Sequence, residues 1–216
     1  MKKEYAAVPP TMERMETYGF SWMDFITAIP SPLFVATTWK ENGKPNACLQ
    51  SWACFTGNAD GFFAILSAVY KSGHFYRTLR ETGACALNFP SADVYDRCLA
   101  TIRNNQWEAD EITASGLTAE PGAAVNAPRI RECFLSLECA YEWERELAQG
   151  SDHTLVCLRV KNVCMDEDCL DESARGRYGD TGYLYNVHYP VNPETYAGKA
   201  NDYIAVLRKL RDMGEY

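Results

Sequence analysis

Residues 133–143, CFLSLECAYEW, carry the strongest periodicity in the chain. Apolar or aromatic side chains stand at every second position, and Ser136, Glu138 and Glu142 lie between them. Alternation with a period of two is typical of a β-strand that buries one face and exposes the other. Residues 155–163 repeat the alternation after a Gly-Ser-Asp turn. The two segments are therefore predicted to form an antiparallel hairpin.

Four more segments have the apolar, β-branched and aromatic residues that are typical of strands. They are residues 33–39, 46–55, 62–68 and 84–89. An Asn-Gly turn at residues 42–43 lies between the first two and favours a hairpin. Short helices are predicted after the N-cap candidates Ser21 and Ser91 and over residues 76–80. Residues 104–128 are predicted to be mostly loop.

The predicted strands, with their tight turns and few intervening helices, indicate a mainly β fold. The arrangement favoured is an antiparallel barrel with short α-helices packed outside it. No internal repeat, low-complexity stretch or linker divides the sequence. We therefore expect a single domain over residues 1–216, in which residues 1–20 form an N-terminal arm.

The composition is that of an ordinary folded protein and excludes disorder, collagen and coiled coil. Of the 216 residues, 47% are hydrophobic and 23% are charged. There are 21 Lys+Arg against 29 Asp+Glu, and the net charge of -8 repels nucleic-acid phosphates and anionic lipid. The longest nearly apolar run, residues 62–70, is too short to span a bilayer. We therefore expect no nucleic-acid partner and no membrane association.

The nine cysteines show no C-x-x-C spacing, which disfavours a zinc site or a redox dithiol. Reduced, mostly buried thiols fit a cytoplasmic protein. Glu4 and the Pro9-Pro10 pair stand where a secretion signal needs an apolar core. The three histidines fall in no H-E-x-x-H motif, and G-x-S-x-G, G-x-G-x-x-G and P-loop motifs are absent from the sequence. We therefore expect no metal site, and hydrolase or dinucleotide-fold functions are disfavoured.

A cluster of hydroxyl and cationic side chains follows the predicted strand 62–68. Its members are Ser67, Lys71, Ser72, His74, Arg77 and Thr78. Hydroxyls, one or two cations and the N–H groups of a helix start are natural ligands of a phosphate. The pattern is also typical of a solvated turn before a helix, and both interpretations stay open.

Polar residues also interrupt the predicted strand 46–55. Gln50 and Ser51 stand in an otherwise apolar run, and Trp52 follows them. Backbone groups at the rim of a barrel can pair with the edge of a flat heteroaromatic ring, and Trp52 offers an apolar face for stacking. A core tryptophan beside an edge bulge is the alternative, and it stays open.

Seven segments, spread in order over most of the chain, carry a family resemblance. They are AIPSPLFVATTWKENGKPNACLQSW (28–52), the loop 71–78, ACALNFPSAD (84–93), SGLT (115–118), APRIRECFLSLEC (127–139), GSDHTLVCLRVKNV (150–163) and TGYLYN (181–186). Together they resemble the flavin reductase-like, FMN-binding split-barrel family, and within it the flavoredoxin-like branch. Each motif is loose, but their joint order is specific.

The resemblance implies a Greek-key split β-barrel that forms a homodimer and holds FMN noncovalently near the subunit boundary. By position, Asn46, Ala47 and residues 50–52 would face the isoalloxazine and ribityl groups, and the cluster from Ser67 to Thr78 would hold the phosphate. His153 and Tyr185 match positions that approach the flavin, and His153 is a candidate proton donor. A strand-start histidine bonded to the preceding turn is the alternative interpretation of His153.

Two positions depart from the family pattern. Phe75 stands where the family often has Thr, and residues 110–112 read Asp-Glu-Ile where it often has Asp-Lys-Phe. Each change removes a polar or cationic contact to the phosphate. We therefore expect other members of the cluster to supply the lost contacts, namely Lys71, Ser72, His74 or Arg77.

The function that the resemblance implies is that of an oxidoreductase with FMN as its cofactor. Electrons would pass from NADH or NADPH through FMN to an acceptor, either a redox partner protein or a small molecule. A flavoredoxin-type FMN carrier without its own NAD(P)H site is one alternative. A flavin-free binding module is the other.

Overall fold

The structure is a computed structural model, and it describes residues 2–13, 21–171, 176–188, 190–196 and 202–209. Its backbone divides into two compact units. The first unit comprises Met1–Ser31 and Tyr185–Ala205, and the second comprises Pro32–Leu184 and Val206–Tyr216. Of the predicted N-terminal arm, residues 1 and 14–20 lie outside the described residues.

Short helices and a larger number of strands make up both units. The helices are α1 (Trp22–Thr27), α2 (His74–Thr82), α3 (Tyr95–Ala100) and α4 (Glu111–Ala114), with 3-10 turns at Pro10–Met12 and Glu167–Cys169. The strands are β1 (Ser31–Pro32), β2 (Phe34–Trp39), β3 (Pro45–Gln50), β4 (Ala53–Asn58), β5 (Gly61–Tyr70), β6 (Ala84–Phe89), β7 (Ala119–Pro121), β8 (Pro128–Ile130), β9 (Leu135–Glu146), β10 (His153–Met165), β11 (Leu184–His188) and β12 (Asp202–Val206).

The main sheet of the second unit has seven antiparallel strands in the order β3-β2-β6-β9-β10-β5-β4. Its two edge strands, β3 and β4, follow one another in the chain and are joined by Ser51 and Trp52. A link of this length spans at most about 10 Å, so the two edges of the sheet come close together at this end. In the part of the chain that the structure describes, β3 and β4 are not joined by backbone hydrogen bonds as neighbouring strands. The curled sheet is therefore split between them. The predicted mainly antiparallel β fold is confirmed.

Aromatic rings show how strongly the sheet curls. Phe34 on β2 and Phe55 on β4 lie towards opposite edges of the sheet, yet their ring centroids are 6.0 Å apart in an edge-to-face pair. Phe89 on β6 lies 5.6 Å from each of them. Phe34 and Phe89 belong to one buried apolar cluster that also contains Leu87 and Leu158, and the half-buried Phe55 packs against it. Burial of this apolar surface is the main force that holds the curled sheet together.

The junction between the edge strands corrects one prediction. Residues 46–55 are predicted as one strand, but the chain breaks there into β3 and β4. Trp52 has a φ of 55°, in the left-handed region that residues other than glycine rarely occupy. Its carbonyl oxygen accepts hydrogen bonds from the Ser67 N–H at 2.9 Å and the Ser67 hydroxyl at 2.7 Å. These bonds hold a backbone conformation that an alternating sequence pattern does not reveal.

The predicted solvent-facing side of β9 is buried over the first half of the strand, which corrects a second prediction. Ser136 and Glu138 are almost fully buried. The Glu138 carboxylate accepts hydrogen bonds from the backbone N–H groups of residues 123–125 at 2.6 to 3.3 Å and from Asn162 Nδ2 at 3.1 Å. Burial alone would raise the pKa of Glu138, but these donors outweigh it and hold the pKa below its ordinary value.

The helix predictions hold in part. Helix α1 begins after Ser21, whose side chain takes part in a capping box, and this confirms the predicted start. Helix α2 extends the predicted helix in both directions. Helix α3 begins later than predicted, because the Ser91 hydroxyl donates to the Asp93 carboxylate instead of capping the helix. Residues 104–128, predicted to be mostly loop, contain the short elements α4 and β7 and the first residue of β8.

Two further findings concern helix length and the thiols. None of the helices in the described ranges is long and apolar enough to cross a bilayer. All nine cysteines fall within the described ranges, and each carries a free thiol. Six of the nine are buried, which confirms the prediction of mostly buried thiols.

We expect Glu138→Gln to lower the free energy of unfolding by about 2 kcal/mol, because the amide turns an acceptor oxygen into a donor that faces other donors. The extra stability of the wild type over this variant is fully present above the ordinary carboxyl pKa of about 4.3. It is lost as the pH falls through the lower pKa of the folded state. Urea unfolding at neutral pH and near pH 3 measures both effects.

The matched control is Glu142→Gln on the same strand. Glu142 pairs with Arg159 at 2.5 Å on the solvent-accessible face. Because exposed ion pairs contribute little to stability, the free energy of unfolding of this variant should stay within about 0.5 kcal/mol of the wild-type value. Equal losses of stability for the two variants would contradict the role assigned to Glu138.

Candidate functional site

A cavity of about 240 Å³ lies beside the edge strand β3. It is lined by residues 46–50 of β3, Val69 and Tyr70 of β5, residues 73–75 at the start of α2, and Thr101, Ile102 and Asn105 after α3. Within the described main sheet β3 pairs only with β2, so the other side of its backbone has no strand partner. The cavity brings together four of the predicted site residues, namely Asn46, Ala47, Gln50 and His74.

Asn46 contributes a buried amide to the cavity wall. The residue is 1% exposed, and its Nδ2 atom has no hydrogen-bond partner. A buried polar atom without a partner costs about 1–3 kcal/mol in the folded chain. A fold retains such an atom most readily where a ligand supplies the missing acceptor.

The start of α2 forms a second wall of the cavity. Its N-cap is Gly73, which offers no side chain to the N–H groups of the first turn, and that turn contains no acidic residue. The unpaired N–H groups and the helix dipole make the start of a helix favourable for an anion. His74, the first residue of the helix, has a side chain that is 27% exposed.

A buried ion pair lies behind these two walls. Lys40 Nζ donates to Glu111 Oε1 at 3.0 Å and to two backbone carbonyl oxygens of the loop before α4, and both charged side chains are fully buried. Glu111 Oε2 accepts a hydrogen bond from the Ala47 N–H at 2.9 Å. His74 Nδ1 lies 3.5 Å from Glu111 Oε1. One carboxylate thus contacts groups from both walls of the cavity, while Lys40 compensates its charge.

The other predicted cations are paired with carboxylates and do not line the cavity. Lys71 Nζ lies 2.5 Å from Glu146. Arg77 pairs with Glu41 and with Glu81, each at 2.9 Å. The Arg77 guanidinium also stacks on an aromatic ring of the loop before α4, 4.2 Å from the ring centroid. A phosphate would have to compete with these carboxylates for either cation.

The predicted hydroxyl ligands serve mainly internal bonds. The Ser67 hydroxyl donates to the carbonyl at the strand junction, as described above. Thr78 is fully buried in α2, where its hydroxyl lies 2.5 Å from the Thr38 hydroxyl and bonds the His74 carbonyl at 2.8 Å. Ser72 is exposed just before the helix. A role for these three hydroxyls toward a phosphate stays a prediction.

Residues 50–52, which are also predicted to face the flavin, differ in their surroundings. Gln50 lines the cavity, and its Nε2 donates to Cys48 Sγ at 3.1 Å. Burial raises the pKa of the Cys48 thiol, which therefore stays protonated at neutral pH. Ser51 is buried and Trp52 is half-buried at the junction of the edge strands, and neither lines the cavity.

The remaining two predicted residues do not line the cavity either. His153 begins β10, and its ring packs against Tyr70 with the centroids 5.2 Å apart. Its backbone N–H donates to Ser151 Oγ at 3.1 Å, which fits the alternative of a strand-start histidine bonded to the turn. Tyr185 lies on β11 in the first unit, whereas the cavity belongs to the second unit.

Sequence reasoning missed Lys40 and the wall after α3. Lys40 and Glu111 stand far apart in the chain, so no local spacing signals their pairing. Thr101, Ile102 and Asn105 follow a short helix in a segment without periodicity. Ile102 is 59% exposed, an apolar side chain left at the edge of the cavity, but the sequence does not distinguish it from a core residue.

Solved structures share this architecture at low sequence identity. Flavoredoxin of Desulfovibrio vulgaris (Miyazaki F) is 20% identical with a TM-score of 0.70, and the match covers 98% of this chain and 96% of that chain. Nitrilotriacetate monooxygenase component B from Bacillus cereus is 18% identical with a TM-score of 0.75, and the match covers 98% of this chain and 100% of that chain. Both similarities establish the split-barrel fold.

Sequence comparison gives the family. A protein of Methanothermobacter thermautotrophicus (strain Delta H), described as an uncharacterized protein, is 24% identical over 144 residues. The match covers 65% of this chain and 66% of that relative, just under two thirds of its length. The model of the flavin reductase like domain matches residues 26–188, which is most of the chain and includes the whole cavity. The chain therefore belongs to the flavin reductase-like domain family, a family of flavin-related oxidoreductases.

Proposed function

We propose that this chain binds FMN noncovalently and passes electrons from NADH or NADPH through it to a second acceptor. The observation that carries the proposal is the unpartnered Asn46 amide in the wall of a cavity that also contains the start of α2. A flavin offers both complements to such a wall, namely ring acceptors for the amide and an anionic tail for the helix. The acceptor is a redox partner protein or a small molecule.

The residues present fit the two ends of FMN. Residues 46–50 would meet the ring system, because an edge strand offers backbone groups and Asn46 offers a donor without a partner. The start of α2 and His74 would meet the phosphate, because they combine helix N–H groups with a titratable ring. Lys71 and Arg77 would contribute only after leaving their carboxylates.

FMN, when bound, supplies the hydride and electron transfer chemistry. The chain's own residues orient the ring, exclude water from one of its faces and supply hydrogen bonds to its edge. None of the described side chains that line the cavity is required as a conventional acid or base in this proposal. His153 remains a predicted proton donor, and its packing on Tyr70 keeps it near the cavity wall.

A second candidate function is that of an FMN carrier without its own NAD(P)H site. The structural similarity to a protein named flavoredoxin favours it. Both functions use the same cavity and the same cofactor, so they differ only in the source of electrons. A flavin-free binding module is the third alternative, and the absence of FMN binding would favour it.

The first prediction from the proposed function concerns the visible spectrum of the protein. We expect the purified chain, alone or after adding FMN, to show the absorbance of bound flavin, and NADH or NADPH to bleach it in the absence of oxygen. Riboflavin, which lacks the phosphate, should bind more weakly. Bound flavin that neither nucleotide bleaches would favour the carrier, and a chain that ignores FMN would contradict the proposal.

A second prediction tests the cavity wall. We expect Asn46→Leu to raise the stability of the flavin-free chain by about 1 kcal/mol, because it removes a buried amide donor without a partner. The same change should weaken FMN binding about tenfold, because it removes a hydrogen bond to the ligand. Thermal unfolding without flavin and fluorescence titration with FMN measure the two effects.

Asn88→Leu is the matched control, on strand β6 of the same sheet. The Asn88 side chain is fully buried, and both ends of its amide are bonded, to Val35, Thr37, Ile130 and Ser136. The same substitution should therefore destabilise the chain, by about 3 kcal/mol. A loss of stability in Asn46→Leu as large as that in Asn88→Leu would contradict the role of Asn46.

A third prediction concerns oligomeric state, because the proposal includes a homodimer. Small-molecule sites measure about 300–1,000 Å³. The cavity measures about 240 Å³, so part of a bound FMN would lie outside it. We propose that a second copy of the chain covers that part. Sedimentation equilibrium should give a dimer with one FMN per chain, and a monomer with tightly bound FMN would contradict this.

A further inference from the structure

The carboxylate of Glu111 is held so that it faces His74. Lys40 and the Ala47 N–H fix both oxygens of Glu111, and the Glu111 side chain is fully buried. His74 Nδ1 lies 3.5 Å from Oε1, beyond ordinary hydrogen-bond length, and is buried without a hydrogen-bond partner. The His74 ring is also packed edge-on against Trp107, with the centroids 5.0 Å apart.

This arrangement determines where the imidazole carries its proton. A lone pair on Nδ1 so close to the carboxylate oxygen would be repelled by it, so the geometry favours the tautomer with a hydrogen on Nδ1. The nitrogen left for a ligand in the cavity is then Nε2. In the neutral ring Nε2 is an acceptor, and only the doubly protonated ring offers a donor there.

An anion in the cavity therefore binds best to the protonated form of His74. A phosphate supplies only acceptors above its second ionisation, so it requires a donor on Nε2. The two permanent cations of the predicted cluster, Lys71 and Arg77, are paired with carboxylates outside the cavity. Among the charged members of the cluster, His74 is thus the one that lines the cavity.

We propose that Glu111, paired with Lys40, is a positioning residue that holds a proton on His74 Nδ1, so that binding of the FMN phosphate is coupled to proton uptake on His74 Nε2. The inference rests on the proposed FMN function and adds to it a proton-linked anion site. It also gives a physical role to Glu111, which departs from the family pattern. The lysine that the family often has at this position would contact the phosphate directly, whereas Glu111 acts on the phosphate through His74.

Other charged and titratable groups surround His74. Glu111 of α4 faces it, and Lys40 of the loop after β2 pairs with that carboxylate. Arg77 lies on the same helix as His74 and stacks on the Trp107 ring. Cys48 of β3 and Tyr70 of β5 line the same cavity. Burial raises the pKa of the Cys48 thiol, so it does not change charge at neutral pH. Histidine is the side chain type that changes charge between about pH 5 and 8.

The test is a fluorescence titration of the flavin-free full chain with FMN and with riboflavin, near pH 6 and near pH 8.5. The compared quantity is the affinity of the wild type divided by that of His74→Gln. For FMN we expect a ratio of about tenfold at the lower pH, falling to within about twofold at the higher pH. For riboflavin the ratio should stay near one at both. Dividing by the variant cancels the ionisation of the phosphate itself.

Two further variants separate positioning from a general charge effect. Glu111→Gln should lose the pH dependence of FMN binding as His74→Gln does, because an amide no longer fixes the proton on Nδ1. Lys71→Gln removes a cation from the same segment. The FMN affinity of the wild type divided by that of Lys71→Gln should be the same at both pH values. If Glu111→Gln fails to fold, the pH profile of His74→Gln decides alone.

The outcomes distinguish this inference from the function beneath it. A wild type that binds neither flavin contradicts the proposed function. The wild type could instead prefer FMN to riboflavin while the ratio of its FMN affinity to that of His74→Gln is the same at both pH values. That result contradicts only the proton-linked site. A loss of the FMN preference in Lys71→Gln but not in His74→Gln also contradicts it and assigns the phosphate to Lys71.

Discussion

The link between the two edge strands constrains the rest of the structure. Strands β3 and β4 lie at opposite edges of the main sheet, yet Ser51 and Trp52 are all that separates them in the chain. The sheet must therefore curl until its edges approach each other, and the left-handed Trp52, bonded to Ser67, forms the corner. Curling buries one face of the sheet as a core, while among the strands that the structure describes β3 keeps a backbone edge without a partner. The cavity lies along that edge.

Electrostatics at the cavity depend on one buried ion pair. Taking Lys40 and Glu111 out of water is unfavourable, and the pair is retained with every donor of Lys40 and both oxygens of Glu111 engaged. The pair connects β3, the start of α2 and α4 around one wall. The surface cations of the same region are paired with surface carboxylates, in a chain whose net charge is -8. A ligand phosphate would therefore depend on the helix start and His74 more than on net positive charge.

The sequence predicts the strands that alternate or are uniformly apolar, since their side-chain period directly reflects the two faces of a sheet. Residues 133–143 show this for β9. The same logic fails where a tertiary contact overrides the period. Glu138 is polar and buried because a distant loop supplies its donors, and residues 46–55 break because a bond from Ser67 holds Trp52 in an unusual conformation. Neither contact leaves a signal in the local pattern.

The same distinction applies to the site. Gln50 and His74 are singled out by the residue pattern, Asn46 and Ala47 are added by the family resemblance, and the cavity brings the four together. The strand pattern predicts that Asn46, Ala47 and Gln50 share one strand, whereas His74 lies just before the predicted helix 76–80 and is the first residue of α2 in the structure. The pairing of Lys40 with Glu111 is not predictable, because it joins segments that meet only after the sheet has curled. The sequence singles out Glu111 only as a departure from the family pattern and does not reveal that it pairs with Lys40.

The central claim is that a flavin binds along the free edge of β3, against the start of α2. A crystal structure of the FMN complex tests it most directly. The account predicts density for the ring beside residues 46–50, with Asn46 Nδ2 donating to it and the phosphate at the start of α2. Flavin density at another place on the chain, with the Asn46 amide still unpartnered, would contradict it.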